Sequence, residues 1–468
     1  MTDELPAGLA EADSEPATPL HVVPAAGLEE WTRAQPEPVG RWLKRIGFVA
    51  RPGDIALAPT GDGEGAIAVI GDPAGAEGDR PLRAFGAAPT GLPPGRYRLA
   101  HAMEAEAAGR LALGWALGAY AFVRYVPRKR QPAVLLWPEA ADRAAVASIA
   151  RATMWARDLI NTPAEDMGPS ELAAAAEALA DEQDAAIRVI AGDDLLKENF
   201  PTIHAVGRAS DDAPRLIDLR WGDEAHPKVT LVGKGVCFDS GGLDIKPSSA
   251  MLTMKKDMGG AANMLALARM VMEAKLRVRL RLLIPAVENS VAGNAFRPLD
   301  IIRTRAGITV EVGNTDAEGR LILCDALAFA SEEQPELLID MATLTGAARV
   351  ALGTELPALF CNDDALAAEL LAAAASEYDP LWRMPLYAPY RRLLDTKIAD
   401  TSNVSDGPYA GAITAALFLE KFVRPAVPWA HVDLMAWNTS DAPGRPKGGE
   451  LQGPRAMLAV LKARYGTA

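Results

Sequence analysis

The sequence predicts an α/β protein of two domains, a smaller N-terminal α/β domain followed by a larger C-terminal one. Three observations lead there. A chain of 468 residues that is 49% hydrophobic can bury more than one ordinary core, so two domains are expected. Short apolar strand candidates alternate with Ala-rich helical stretches, the pattern of an α/β fold. In the C-terminal part the strand candidates are apolar at consecutive positions, which suits a sheet covered on both faces.

The first 25 residues are acidic and rich in Ala and Pro, and read as a mobile lead-in. They lack the basic start and continuous apolar run of a secretory signal. The N-terminal domain is expected over 26–150. It carries strand candidates at 67–70 and 134–137, a helical pattern over 104–125, and a second over about 140–160 that links to the next domain. Residues 111–123 are the most apolar stretch, yet they contain Gly114 and Gly118 and fall short of the ~20 residues of a membrane span. A buried helix is expected there.

Asn161-Thr162-Pro163 ends the linking helix, because proline disfavours helical backbone in the residue before it. The C-terminal domain is therefore expected over 161–468. A helix over 169–183 is followed by strands at 186–190, 216–219 and 229–233. Further strands are expected at 278–284, 309–312, 337–341 and 430–434, with helices over 261–274, 321–331 and 411–423 separating several of them.

A formal net charge of −13 and a pI near 5.1 oppose nonspecific attraction to nucleic acid or anionic lipid. The three cysteines, Cys237, Cys324 and Cys361, follow neither zinc-site spacing nor a disulfide-rich pattern. A reducing cytoplasm fits that usage, and no membrane partner is expected.

The chemistry-bearing residues fall just beyond strand ends, where ligands of open α/β sheets collect. The strand at 229–233 runs into Lys234-Gly235-Val236-Cys237-Phe238-Asp239-Ser240-Gly241-Gly242, and glycines there let backbone approach a ligand closely. Lys246 and then Lys255-Lys256-Asp257-Met258-Gly259-Gly260 follow. Each of these charges, taken singly, reads better as a solvated loop residue.

A second cluster, Asn314-Thr315-Asp316-Ala317-Glu318-Gly319-Arg320, lies between the strand at 309–312 and the next helix. Asp316 and Glu318 on non-helical backbone can both turn to one site, and their oxygens suit Mg²⁺ or Mn²⁺ and also bind Zn²⁺. Converging carboxylates would repel one another and raise their pKa values unless cations relieved them. Capping of the following helix is the alternative for this pair, and the better one for either residue alone.

The ordered series resembles the leucyl aminopeptidase family of metallopeptidases. The matching strings are Val232-Gly233-Lys234-Gly235, Phe238-Asp239-Ser240-Gly241-Gly242, Ile245-Lys246, Asp257-Met258-Gly259-Gly260 and the seven residues from Asn314 to Arg320. Secondary matches are Asn161-Thr162-Pro163, Ala342-Thr343-Leu344-Thr345-Gly346-Ala347, Ile413-Thr414-Ala415-Ala416 and Trp429-Ala430-His431. The resemblance covers roughly 155–435 and is weak upstream, where Gly114-Trp115 to Gly118-Ala119-Tyr120 carries it.

The resemblance implies a C-terminal catalytic domain with a central mixed sheet flanked by helices, and two divalent metal ions per subunit, Mn or Zn, with Mg and Co as alternatives. Asp239, Asp316 and Glu318 would hold one ion; Lys234, Asp239, Asp257 and Glu318 the other, so that Asp239 and Glu318 bridge. Lys234 can ligate only as the neutral amine. A metal-bridging water would attack the N-terminal peptide bond of a peptide. Lys246 would stabilise the oxyanion, and Arg320 would hold a bicarbonate, a surface salt bridge being its alternative.

Met254, Thr343 and Gly346 would line the pocket for an apolar N-terminal residue such as Leu, although a methionine is more often plain core. Met435 stands where the family commonly has a smaller residue. Cys237, two residues before Asp239, would make the site sensitive to oxidation. His431 reads as a core or supporting residue. A homohexamer is implied as well. Competing readings are a phosphoester or amidohydrolase reaction at the same two metals, a DNA-binding architectural role and a catalytically dead assembly protein. The acidic balance argues against the DNA role, and the complete set of expected residues against the dead protein.

Overall fold

A computed structural model of the chain describes residues 5–61, 65–74 and 80–466. The chain packs as two compact units: residues up to Met154 together with Thr439–Lys447, and Trp155–Asn438 together with the chain from Gly448 onward. Helix Arg143–Asn161 runs across the division. The segment Thr439–Lys447, which returns to the first unit late in the sequence, carries no local pattern that announces it.

The first unit is built on a six-stranded sheet. In spatial order its strands are Leu9–Ala10, Val134–Leu136, Arg96–Leu99, Thr18–Val23, Ala66–Gly71 and Ile55–Pro59. All neighbours pair in parallel except the last two, which are antiparallel. The expected mobile lead-in is therefore corrected. Thr18–Val23 is a central strand between two parallel neighbours, and Leu20 and Val23 are buried. Residues 1–4 lie outside the described residues. The helix expected over 104–125 is Ala105–Ala119. It stops where Tyr120 turns to extended backbone, and Val123, Tyr125 and Val126 beyond it are exposed.

The second unit holds a nine-stranded mixed sheet. Its main order is Trp382–Arg383, Ala358–Cys361, Trp429–Asp433, Leu337–Ala342, Lys228–Gly233, Arg279–Asn289, Arg215–Trp221 and Ala186–Ala191. The middle four strands run parallel, with antiparallel pairs on either side. Every residue of Leu337–Ala342 and Trp429–Asp433 is buried, which explains why they are mainly apolar on both faces, with Asp340, His431 and Asp433 as the buried polar exceptions. The strand expected at 309–312 is Thr309–Glu311, but it belongs to a separate three-stranded sheet with Ile301–Arg303 and Thr401–Ser402.

Helices Gly259–Glu273 and Glu318–Glu332 both pack on strand Lys228–Gly233 and its neighbours. Nearly all of their residues are buried, and each large apolar side chain contributes about 1.5–3 kcal/mol by leaving water. Close approach needs Gly260, where a Cβ would come 2.2 Å from the Met341 carbonyl oxygen. That contact sets the start of one helix against the carboxyl end of the sheet. Among the described residues no helix is long and apolar enough to cross a membrane.

Candidate metal centre

The site forms where the sheet's middle strands end. After Gly233 the strand breaks for one residue and resumes as Gly235–Asp239, which pairs further along Arg279–Asn289. Lys234 occupies the break. Its backbone N–H donates to the Met341 carbonyl and its carbonyl accepts from the Ala261 N–H, so the adjacent strand and helix both fix it. Asp239 closes the resumed strand, Asp257 sits in the turn before helix Gly259–Glu273, and Glu318 opens helix Glu318–Glu332.

These elements bring Lys234, Asp239, Lys246, Asp257, Asp316 and Glu318 to the wall of one cavity of about 360 Å³. The Lys234 ammonium lies 2.8 Å from Asp257 Oδ2 and 3.0 Å from Glu318 Oε1, and donates to the Thr343 carbonyl at 3.0 Å. Lys246 Nζ lies 2.8 Å from Asp239 Oδ2 and pairs also with Asp316. Asp239 Oδ1 accepts from the Gly241 N–H and from Asn289 Nδ2, each at 2.9 Å. Oxygens of Asp239, Asp316 and Glu318 all fall within 4.8 Å of one another.

The electrostatics follow from burial and crowding. Burial opposes the charge of Lys234, yet Asp257, Glu318 and Asp239 outweigh it and hold the ammonium well above the ordinary lysine range. Lys246 is raised likewise: burial opposes its charge, and Asp239 leads the groups that overcome it. Glu318 is pushed up to about 8, first by burial and then by the Asp239 carboxylate. Burial and Asp239 also raise Asp316. For Asp257 burial is overcome by Lys234 and Lys256, and the carboxyl falls to about 2.

The donor set fits a divalent cation. Glu318 Oε2 is buried and has no hydrogen-bond donor, an expensive state for a carboxylate oxygen unless a cation meets it. The expected alternative of capping does not describe these carboxylates. The helix's N-cap is Ala317, which makes no side-chain cap, and Asp316 is bound to Lys246 instead.

Arg320 is 8% exposed. It donates through one terminal nitrogen to the Asn403 carbonyl, while its Nε is buried without a partner. Burial lowers its pKa to about 10. Its surface-salt-bridge alternative is excluded by that burial. Thr343 Oγ1 donates to Asp257, 2.8 Å from Oδ1 and 2.9 Å from the carbonyl oxygen. Met254 is buried at the cavity wall, and Gly346 opens helix Gly346–Leu352. Cys237 is buried, and its thiol is held well above the ordinary range by burial, which leaves little thiolate for oxidants. His431 does not reach the cavity; its Nδ1 lies 2.6 Å from Asp340 Oδ1 inside the sheet.

Several contributors escape sequence reading. Asn289 orients Asp239, and Asp433 Oδ1 accepts from the N–H groups of Leu344 (3.0 Å) and Thr345 (3.2 Å). Arg349 lines the same cavity. Its signal in the sequence was its place three residues after Gly346 on one helix, which puts both on one face.

Comparison with known proteins agrees with this architecture. Residues 154–458 match the model of the cytosol aminopeptidase family's catalytic domain, and residues 18–138 match the N-terminal domain of M17 aminopeptidases. A probable cytosol aminopeptidase of Leifsonia xyli is 38% identical over 89% of this chain and 88% of its own length. Peptidase B of Serratia proteamaculans is 46% identical over 60% of this chain and 68% of its own. The crystal structure of a cytosol aminopeptidase from Coxiella burnetii superposes with a TM-score of 0.93 at 48% identity, covering 98% of this chain and 99% of that one. The bottromycin maturation enzyme BotP in complex with Mn superposes with a TM-score of 0.86 at 36% identity, covering 95% and 99%. The chain thus belongs to the cytosol aminopeptidase family of metal-dependent aminopeptidases, and is a hydrolase of that class.

Proposed function

We propose that the protein removes N-terminal residues from peptides at a centre of two divalent ions, Mn or Zn, with Mg and Co as alternatives. Asp239, Asp316 and Glu318 would hold one ion and Lys234, Asp239, Asp257 and Glu318 the other, with Asp239 and Glu318 shared between them. The observation that carries this reading is the Glu318 Oε2 atom, buried and without a donor among converging carboxylates. Manganese is supported by its presence in BotP. When bound, such ions supply a bridging water of lowered pKa and polarise the scissile carbonyl.

The chain's own groups have distinct tasks. Lys234 could join the ligand set only as the neutral amine, and the proton that Asp257 and Glu318 retain on it would have to leave first. Lys246, whose ammonium stands at the cavity wall, stabilises the oxyanion of the tetrahedral intermediate. Arg320 would offer its unpartnered Nε to a bicarbonate, which would supply an acceptor for the proton of the attacking water. Met254, Thr343 and Gly346 line the pocket for the N-terminal side chain, and Met254 and Leu434 offer apolar wall to a residue such as Leu. The free N-terminal amine of the substrate is the anchor that makes the action exopeptidic. The working form is a cytoplasmic homohexamer acting on peptides, with neither membrane nor nucleic acid as partner.

Hydrolysis of Leu-p-nitroanilide by the manganese-reconstituted protein, set against bis-p-nitrophenyl phosphate, tests this reading. Release from the anilide, abolished by chelation and restored by manganese, is expected. Activity on the phosphodiester alone would overturn it.

A further inference from the structure

Asn403, just beyond strand Thr401–Ser402, is fully buried, and its side chain is spent on the segment that leads to Asp316 and Glu318. Its Oδ1 accepts from the N–H groups of Gly313 (2.7 Å) and Asn314 (3.3 Å), and its Nδ2 donates to the carbonyls of Asn314 (2.8 Å) and Ala317 (3.3 Å). The backbone is engaged as well: the Asn403 N–H donates to the Glu311 carbonyl at 3.0 Å, and its own carbonyl accepts from Arg320. Asn314 carries the connection one step further, its Oδ1 accepting from the Asp316 N–H at 2.7 Å. Two asparagines thus join the small three-stranded sheet to the backbone of Asp316.

Such a brace answers a specific need. Oxygens of Asp239, Asp316 and Glu318 lie within 4.8 Å of one another, and like charges so close repel until cations meet them. Asp239 is fixed by the strand it closes and Glu318 by the helix it opens. Asp316 stands on turn backbone, and its side chain is 33% exposed, against 4% for Asp239 and 1% for Glu318. Its carboxylate pairs with Lys246, itself on a loop. Of the three, Asp316 is the one that repulsion would swing out to water. An asparagine suits the task of holding it, because the amide offers both donors and an acceptor to loop backbone and adds no charge to a crowded site.

We propose that Asn403 and Asn314 are positioning residues that hold the Asp316 turn in place against carboxylate repulsion, so that an ion arriving at Asp316 meets a ligand already set. Preformed ligands bind more tightly because less ordering is left to the moment of binding. This rests on the two-ion reading above and concerns the ion that Asp316 would hold.

The test is calorimetric titration of the metal-stripped protein with Mn²⁺, for wild type, Asn403→Ala, Asn314→Ala and Asp316→Ala, and for each asparagine change combined with Asp316→Ala. Wild type should take up two ions. Each asparagine variant should bind one of them roughly tenfold to a hundredfold more weakly, the scale of lost supporting bonds. In the Asp316→Ala background neither asparagine change should weaken binding further, because the residue they position has lost its carboxylate. Unchanged affinity in both single variants would overturn the proposal. So would an equal further loss in the Asp316→Ala background, the signature of a merely structural role. Asn403→Ala leaves buried backbone groups unpaired; if the metal-stripped variant no longer melts cooperatively, Asn314→Ala, a change at a half-buried residue, decides alone. Uptake of fewer than two ions by wild type would instead sink the two-ion reading, and this proposal with it.

Discussion

Gly319 and Lys234 face each other so closely that a Cβ on Gly319 would stand 2.5 Å from Lys234 Cε and 2.7 Å from its Nζ. The glycine between Glu318 and Arg320 therefore makes room for the lysine, and Gly319→Ala must displace it. Crowding of this kind costs about 1–3 kcal/mol, which the metal-free fold should survive because the end of a lysine chain can move. Metal affinity should fall by roughly tenfold to a hundredfold. Calorimetric titration with Mn²⁺ checks this, and an unchanged affinity would remove Lys234 from the ligand set.

Thr343 positions Asp257 through the 2.8 Å bond from its hydroxyl to Oδ1. Supporting bonds of this type are worth about tenfold to a hundredfold in metal affinity. Thr343→Val should lose that amount and Thr343→Ser should keep most of it. Equal affinity for all three would show that the hydroxyl serves the fold alone.

Arg320→Lys keeps a positive charge but loses the planar fork. If Arg320 holds the proton-relaying anion, kcat should drop on the order of 10²-fold, the usual scale of a lost acid–base group, with KM little changed. Added bicarbonate should stimulate wild type and not the variant. A rise in KM with kcat intact would assign Arg320 to substrate binding instead.

Asp325 supplies a pH dependence away from the metal centre. Buried on helix Glu318–Glu332, it accepts from the Thr202 and Arg305 N–H groups, yet burial pushes its carboxyl from 3.8 to about 6. The folded chain thus retains a proton that the unfolded chain has lost. This contribution to stability is complete below about pH 4 and lost as pH rises through about 6. Urea denaturation of the chelated protein at pH 4.5 and 7 should show a fall that shrinks in Asp325→Asn. An equal fall in both would place the dependence elsewhere.

Much of the centre was legible because its residues sit at strand ends in an ordered series of short strings, and the fold brings all six of Lys234, Asp239, Lys246, Asp257, Asp316 and Glu318 to one cavity. Long elements with one buried face, such as Pro169–Gln183, were legible for a similar reason, their periodicity being local. What was hidden depends on distant pairing. Thr18–Val23 is short and carries Pro19, and it is a strand only because Arg96–Leu99 and Ala66–Gly71 flank it. Thr309–Glu311 had a strand's composition, but nothing in it says which sheet it joins. Arg349 was overlooked because an arginine on a short helix ordinarily faces water.

The proposed centre requires Glu318 to be a ligand shared by both ions. Elemental analysis of the manganese-reconstituted protein, run beside turnover of leucine p-nitroanilide by wild type and Glu318→Ala, tests it most directly. Two ions per wild-type chain, fewer than two in the variant and loss of nearly all turnover are expected, because metal-activated water makes the attack. Equal turnover by the two proteins, or full occupancy without Glu318, would contradict it.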